Sequence, residues 1–368
     1  MSNIDEKINT SLADVWRTTH LGDKDRAIGS AFYGINHRQT PSQVPINRDM
    51  YGLTFFTRPQ LNLSSANVRA ERSLIPLLTN AETSVQRMIR CYLDPRLHMN
   101  KDKPLNCPFV DHESAFIPLL TNHLLTCTNW PDSTLDTFTS KPGSHKEVYG
   151  MVDSMLDNFG SFDLSLSFRN MQSDPITELF RVWTIYEASV FKGIMVPYPD
   201  FLVRNEIDYQ TRVYRLVLDK NKNTVQKIGA TGASFPVSTP LGAAFNFDSD
   251  KPFNSSNDQI SISLRSFGAL YQDAILVHEF NKIVGVFKPE MRELALVGSK
   301  GKRNDTSGAM MKVPPGALTM FNNRGYPRID PNSYELQWYV PKDDYADVMK
   351  AYTAHNSALT AAVATNGE

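Results

Sequence analysis

Charge imbalance, cysteine and long apolar runs are what this 368-residue chain has least of, and each shortage excludes something. Its 38 lysines and arginines are offset by 39 aspartates and glutamates, a formal net charge of −1. A protein whose affinity comes from gripping phosphates needs a basic footprint, so tight nucleic-acid binding is a poor fit. Cysteine is confined to Cys91, Cys107 and Cys127, with no Cys-x-x-Cys spacing and with apolar or mixed neighbours such as Leu124-Leu125-Thr126. They read as reduced structural thiols of a protein assembled in a cytoplasm. No apolar run reaches the length of a membrane span, and Met1-Ser2-Asn3-Ile4-Asp5-Glu6 has neither the basic nor the apolar region of a signal peptide. The expectation is a chain neither membrane-embedded nor exported by that route. A Gly-x-Ser-x-Gly elbow, a kinase signature set and a dinucleotide fingerprint are missing too.

What the chain does have is 41% hydrophobic and 21% charged residues, enough for two domains or one elaborated domain. Its most regular stretch runs from Phe162 to Phe267. Phe162, Leu164, Leu166 and Phe168 alternate with Ser161, Asp163, Ser165, Ser167 and Arg169, the pattern of a half-buried strand. Asp174-Pro175 then supplies an N-cap and a first-turn proline. Ile176, Leu179, Phe180, Trp183, Tyr186 and Val190 follow at helical spacing until Gly193. Tyr209 to Asp219 predicts a strand, Asp219-Lys220-Asn221-Lys222-Asn223 a turn, and Val225 to about Val237 its hairpin partner. Thr231-Gly232, Pro236 and Pro240 give that partner the character of an edge or a bulged strand. Gln259 to Phe267 alternates cleanly.

Ile207-Asp208-Tyr209, the hairpin, Thr231-Gly232-Ala233-Ser234-Phe235-Pro236-Val237-Ser238 and the strand from Gln259 resemble the tail-tube fold of contractile-tailed bacteriophages. The most similar variants are baseplate tube-initiator proteins, and the resemblance covers the central third of the chain. It implies a subunit that forms a ring, a hexamer as a rule, by joining sheets edge to edge into a barrel around a DNA channel. It implies a non-enzymatic virion protein of the tail, assembled in the host cytoplasm. Its partners would be copies of itself and other tube, baseplate or sheath proteins, with DNA passing non-specifically and without cofactors. The main tail tube, or a neck or tail-terminator protein, are the related alternatives. Read from the residues alone, unprotected strand edges are an aggregation liability that ring closure removes, and near-neutral charge suits a conduit. The same strands also fit a β-sandwich or α+β domain whose edges are covered by flanking segments.

The expected fold is α+β: a mainly antiparallel, barrel-forming tube-like domain with one packed helix, an inserted helical subdomain and long arms. We place an N-terminal arm and first strand at 1–65, the partly helical insert at 66–151, the tube-like domain at 152–290 and a C-terminal extension at 291–368. Ile4 to Trp16 shows a helical pattern, residues 23–48 read as an arm, and Tyr51 to Leu63 as a strand leading into an extended connection. Ile75-Pro76-Leu77-Leu78-Thr79-Asn80 recurs as Ile117-Pro118-Leu119-Leu120-Thr121-Asn122, read as two similar Pro-started helical turns because a solenoid needs three copies. The insert is expected to meet another virion component. Ile275 to Phe287 is apolar and β-branched, Gly298 to Asp305 is a solvated basic loop without P-loop spacing, and Tyr334 to Val340 is an aromatic strand. The tail from Ser357 is small and polar.

A rival of another class, an envelope-degrading hydrolase, would have to draw on Asp111-His112-Glu113, His123 and His278-Glu279. None has metal-ligand spacing, and His112 and His123 lack a His-Glu-x-x-His frame. Asp343-Asp344 falls in a loop or helix start, where N-capping explains it. No catalytic, cofactor-binding or metal residue is therefore assigned.

Overall fold

The computed structural model describes residues 51–99, 104–155, 160–245, 249–250, 258–292 and 309–350. The helix expected at Ile4–Trp16, the arm at 23–48, the basic loop 298–305 and the tail from Ser357 lie outside the described residues.

Six strands form one antiparallel sheet: β1 (Tyr51–Phe56), β2 (Leu124–Thr128), β5 (Ser161–Arg169), β6 (Val213–Leu218), β7 (Val225–Pro236) and β8 (Gln259–Tyr271). Between β2 and β5 lies a separate hairpin, β3 (Thr137–Thr139) with β4 (Gly150–Val152). The order across the sheet is β1-β6-β7-β8-β5-β2. The expected β6–β7 hairpin forms where its turn chemistry placed it. The Asp219 carboxylate accepts from the amides of Asn223 (2.8 Å) and Thr224 (3.1 Å), and Lys222 takes the left-handed φ of 59° that closes the turn.

The sheet is open in the single chain and carries two long helices rather than one. The first, α4 (Pro175–Phe191), follows the short helices α1 (Ser65–Val68), α2 (Val85–Leu93) and α3 (Pro118–His123); α5 (Pro199–Arg204) comes next. Its proline start and its stop before Gly193, at φ +70°, match the sequence reading. The cap does not. Asp174 sits at φ +46° and its carboxylate accepts from the Asn170 amide at 2.6 Å instead of from the helix. The second long helix is α6 (Ala274–Phe287), in the segment whose β-branched composition suggested no element. Asp273 caps it by accepting from the Ile275 amide at 3.0 Å, and Leu276, Val277, Phe280 and Val284 bury one stripe. Spacing outweighs the modest helix cost of β-branching.

The two helices lie on opposite faces, and neighbouring residues show it. Phe56 and Val213 belong to the core that α4 covers with Phe180, Trp183 and Tyr186; Phe55 and Tyr214 belong to the core that α6 covers with Phe280. Successive strand side chains point to opposite faces, so β1 and β6 are packed on both sides. Leu74, Leu77, Ile89, Leu93 and Ile117, all from 66–151, share the first core with Leu164, Leu166 and Phe168.

The repeated hexapeptide adopts two structures. Residues 72–78 form a 3₁₀ helix with Pro76 inside it and Ile75 48% exposed, whereas Pro118 opens α3 and Ile117 is fully buried. Surroundings decide which, not the six residues.

Arg58, just after β1, is 3% exposed and pairs with no carboxylate among the described residues. Its guanidinium donates to the carbonyls of Cys91, Tyr92, Asp111, His112 and Ser114, binding α2 and the 111–114 loop to the strand. Burial pushes its pKa down to about 10. A small second sheet, β9 (Met310–Val313), β10 (Tyr326–Ile329) and β11 (Leu336–Pro341), runs in the order β10-β11-β9. Asn281 of α6 clamps it, donating to the Ile329 carbonyl at 2.7 Å and accepting from the Ile329 amide at 2.9 Å.

Candidate assembly surfaces

The strands that carried the sequence pattern leave one face of the sheet open. Leu164, Leu166 and Phe168 of β5 pair with Leu264, Ile262 and Ile260 of β8 and point toward α4. The opposite face presents Ser161, Ser165, Ser167, Ser261 and Ser263, with Asp163 and Arg265 paired at 2.8 Å. It is hydroxyl-rich, with Arg169 exposed at its end opposite Gln259. Among the described residues, β2 pairs with β5 alone, and β1 pairs with β6 and is bridged on its outer side only at its end, where the Phe56 carbonyl accepts from the Ile117 amide at 3.0 Å and Thr57 bridges Phe116; the rest of each margin is a row of amides and carbonyls.

Between Thr231 and Ser234 the alternation slips. These side chains are three apart yet buried together with hydroxyls 2.9 Å apart, and the Ser266 hydroxyl lies 2.8 Å beyond Ser234. Gly232 sits at the irregularity, opposite Gly268 at φ +69°. A Cβ on Gly232 would come within 2.6 Å of the Phe267 carbonyl oxygen, so only glycine fits. The Thr-Gly segment of the sequence thus marks the place where buried and open faces exchange.

The β3–β4 hairpin stands away from the sheet with all six of its paired residues exposed. Phe138, Tyr149 and Met151 are 50%, 71% and 63% exposed. A two-stranded ribbon alone is marginal in water, and exposed apolar side chains on it mark a contact surface. Its base is fixed. The Trp130 indole donates to Cys127 Sγ at 3.3 Å and packs on Phe162 and Tyr271, whose hydroxyl donates to the Pro131 carbonyl at 2.6 Å. The hairpin went unrecognised in the sequence, although Pro142-Gly143 between Thr137-Phe138-Thr139 and Gly150-Met151-Val152 is a turn signal between strand formers.

Most of the titratable residues weighed as catalytic make structural contacts. Asp111 accepts from the Tyr326 hydroxyl at 2.9 Å, and Glu113 pairs with Lys288, which also reaches Glu290 at 3.2 Å. The His112 ring stacks on His98 with centroids 5.0 Å apart and accepts from the Cys107 amide, and burial pushes its pKa down to about 4. His123 contacts the Leu119 carbonyl of its own helix at 2.9 Å. Glu279 pairs with Arg212 at 2.6 Å, and with His278 it lines a cavity of about 470 Å³ beside α6. The three groups are not brought to one place, and among the described residues no cluster of three His, Cys, Asp or Glu side chains is arranged to hold a metal. Asp343 and Asp344 lie in the first turn of a helix spanning 342–350. All three cysteines are free, and burial raises the Cys91 thiol to about 12.

A group of carboxyls raised by burial lies where α4, α5 and residues 60–63 meet. Asp94 accepts from the Leu63 amide and the Tyr198 hydroxyl, each at 2.8 Å, and burial raises it to about 6. Asp208 accepts from the Tyr186 hydroxyl and is raised by burial. Glu187 is pushed up to about 9, first by burial and then by the charge of Asp208. Arg96 closes the corner from outside with a bidentate grip on Asp200, at 2.6 and 2.9 Å.

Among solved structures the chain is similar to the anti-feeding prophage cap, described as the AFP tube terminating cap, at 11% identity and TM-score 0.26, over 43% of this chain and 81% of that one. It is similar to the PVC sheath/tube terminator of an extracellular contractile injection system in the extended state, at 11% identity and TM-score 0.25, over 43% and 87%. A third likeness is to the anti-feeding prophage baseplate, at 15% identity and TM-score 0.23, over 40% and 78%. Scores this low carry no argument about fold or role. Comparison with curated protein sequences finds no match. The family comparison is decisive instead: the model of a family described as "Putative phage tail tube protein" matches residues 1–355, well beyond the central third that suggested it. With its open, edge-exposed antiparallel sheet, the chain belongs to this phage tail tube family.

Proposed function

We propose that the chain is a structural, non-enzymatic subunit of a contractile phage tail, placed in the baseplate or tube-initiation layer, where it forms a hexameric ring around the DNA channel. The observation that carries this reading is the six-stranded sheet in which, among the described residues, no strand lies beyond β2 and the outer side of β1 is bridged only at its Phe56–Thr57 end. Joining β1 of one copy to β2 of the next turns open sheets into one closed barrel and leaves no edge. The serine-rich face with its Asp163–Arg265 pair then lines the channel, offering mostly hydroxyls, with Arg169 at the end of β5 its one further charge on that strand.

Residues 66–151 make the subunit larger than a bare ring element. In this reading they, with the arm at 1–65 and the extension at 291–368 flanking the tube-like domain 152–290, meet neighbouring tail, baseplate or sheath proteins. Assembly takes place in the host cytoplasm and the product resides in the virion tail.

The test is the mass and negative-stain appearance of the purified chain over a range of concentrations. Single rings with a central channel are expected; open-ended stacks would assign it to the main tube. A monomer at every concentration, with or without the other baseplate proteins, would overturn the ring.

A further inference from the structure

The Asp111-His112-Glu113 triplet carries no catalytic site, yet the fold reverses the charge that its sequence puts around the imidazole. Along the chain His112 lies between two carboxylates, neighbours that favour a protonated ring. The fold turns both away. Asp111 accepts from the Glu113 amide and the Tyr326 hydroxyl, each at 2.9 Å, and Glu113 pairs with Lys288, so both are tied to β10 and the end of α6. What faces the imidazole instead is cationic or can become so. The His98 ring of the 97–99 turn stacks on it with centroids 5.0 Å apart, and the buried Arg58 guanidinium donates to the His112 carbonyl at 3.1 Å. The other titratable groups at this corner are Cys107 and, on α2, Cys91 and Tyr92, whose carbonyls Arg58 also holds. His112 Nε2 accepts from the Cys107 amide at 3.4 Å, which it can do only unprotonated. His98 Nδ1 is buried without a hydrogen-bond partner among the described residues.

We propose that residues 104–115 form an acid-sensitive latch, closed while His112 is neutral and released when it takes up a proton. Closed, the segment puts Cys107 and Val110 into the core covered by α4 and Ala115 into the core covered by α6, and it joins Arg58 and α2 to β10. Released, it frees Asp111 and Glu113 to flank the imidazolium, and 66–151 loses its tie to the C-terminal sheet. Burial first, then His98 and Arg58, hold the closed-state His112 down at about 4 against the usual 6.5, with Asp111 acting the other way. The stability of the closed latch is therefore complete above pH 6.5 and is lost as pH falls from there toward 4. Between pH 7 and pH 5 the closing equilibrium should drop about twentyfold. Asp94 and Glu187, both raised, add stability over the same fall, so the effect has to be read locally. The latch belongs to the single chain and does not rest on the ring reading.

Hydrogen exchange of the full-length protein at pH 7 and pH 5 tests it. After correction for the intrinsic pH dependence of exchange, backbone amides of 105–115 should lose about twentyfold in protection between the two, while those of 260–264 in β8 keep theirs. His112→Gln retains an acceptor for the Cys107 amide and cannot be protonated, so its 105–115 amides should be equally protected at both pH values. Wild-type amides of 105–115 as protected at pH 5 as at pH 7, or a loss shared by β8, would overturn the latch. A variant that loses protection as the wild type does would overturn His112 as the trigger. Should the variant not fold, NMR titration of the His112 ring in the wild type decides: a midpoint below 5.5 supports the latch and a higher one overturns it.

Discussion

Glu187 holds its proton in the folded chain, which gives a single side chain a visible effect on stability. Its Oε1 finds no hydrogen-bond partner among the described residues, and its pKa rises from 4.5 to about 9. The folded state therefore keeps a proton that the unfolded state loses. The stability contributed is complete below pH 4.5 and is lost progressively as pH rises through about 9. Glu187→Gln, which keeps the shape and cannot ionise, should flatten the fall of urea midpoint with pH across that window. Equal slopes for both proteins would show that Glu187 titrates normally. Asp94, raised to about 6, adds a slope of the same sign below neutrality, so the difference between the two proteins is the quantity to read. None of this was legible in the sequence, where Glu187 is one more polar residue on a helix; desolvation comes from α4 and the residues around Asp208 meeting in space. Gly232 was legible as an irregularity, because Thr-Gly breaks an otherwise continuous strand, yet the Phe267 oxygen that forbids a side chain there lies 35 residues away along the chain.

At the scale of elements, β8 is the strand on which most pairing depends, since it joins β7 to β5 over 13 residues. Ile262 is 1% exposed and lies opposite Leu166. Ile262→Pro removes an amide from the ladder and forces a ring into a packed core, and should cost about 3 kcal/mol or more. Denaturant unfolding checks it; an unchanged midpoint would mean that β8 is not an interior strand. Elements with a strict period, β5, α4 and β8, were visible in the sequence because one buried face imposes one spacing. α6 was obscured because Val and Ile suit both helix and strand, and only the Asp273 cap and the four-residue recurrence of Leu276, Phe280 and Val284 separate the two. The β3–β4 hairpin was obscured for the opposite reason: with no buried side, its residues follow no burial pattern at all.

For the whole molecule, the proposed ring would tie stability to concentration. If the folded chain binds its own copies and the unfolded chain does not, assembly adds about 2.7 kcal/mol once free subunit exceeds the dissociation constant by roughly a hundredfold. The melting temperature should then climb with protein concentration, read by calorimetry across a dilution series, and a value independent of concentration would argue for a subunit stable alone. The sheet is packed on both faces at its β1–β6 end and on one face at β5 and β8, so a single chain holds most of its apolar side chains out of water. The doubly packed end has a further property. Phe55 and Phe56 are adjacent, as are Val213 and Tyr214, and each pair divides between two separate cores. A slip of β1 by one residue would not simply misplace a side chain at a margin; it would send the contents of each core into the other. The alignment of this outermost strand is thus proofread twice, once from each side, so that it keeps its place with only the Phe56–Thr57 end of its far edge tied down.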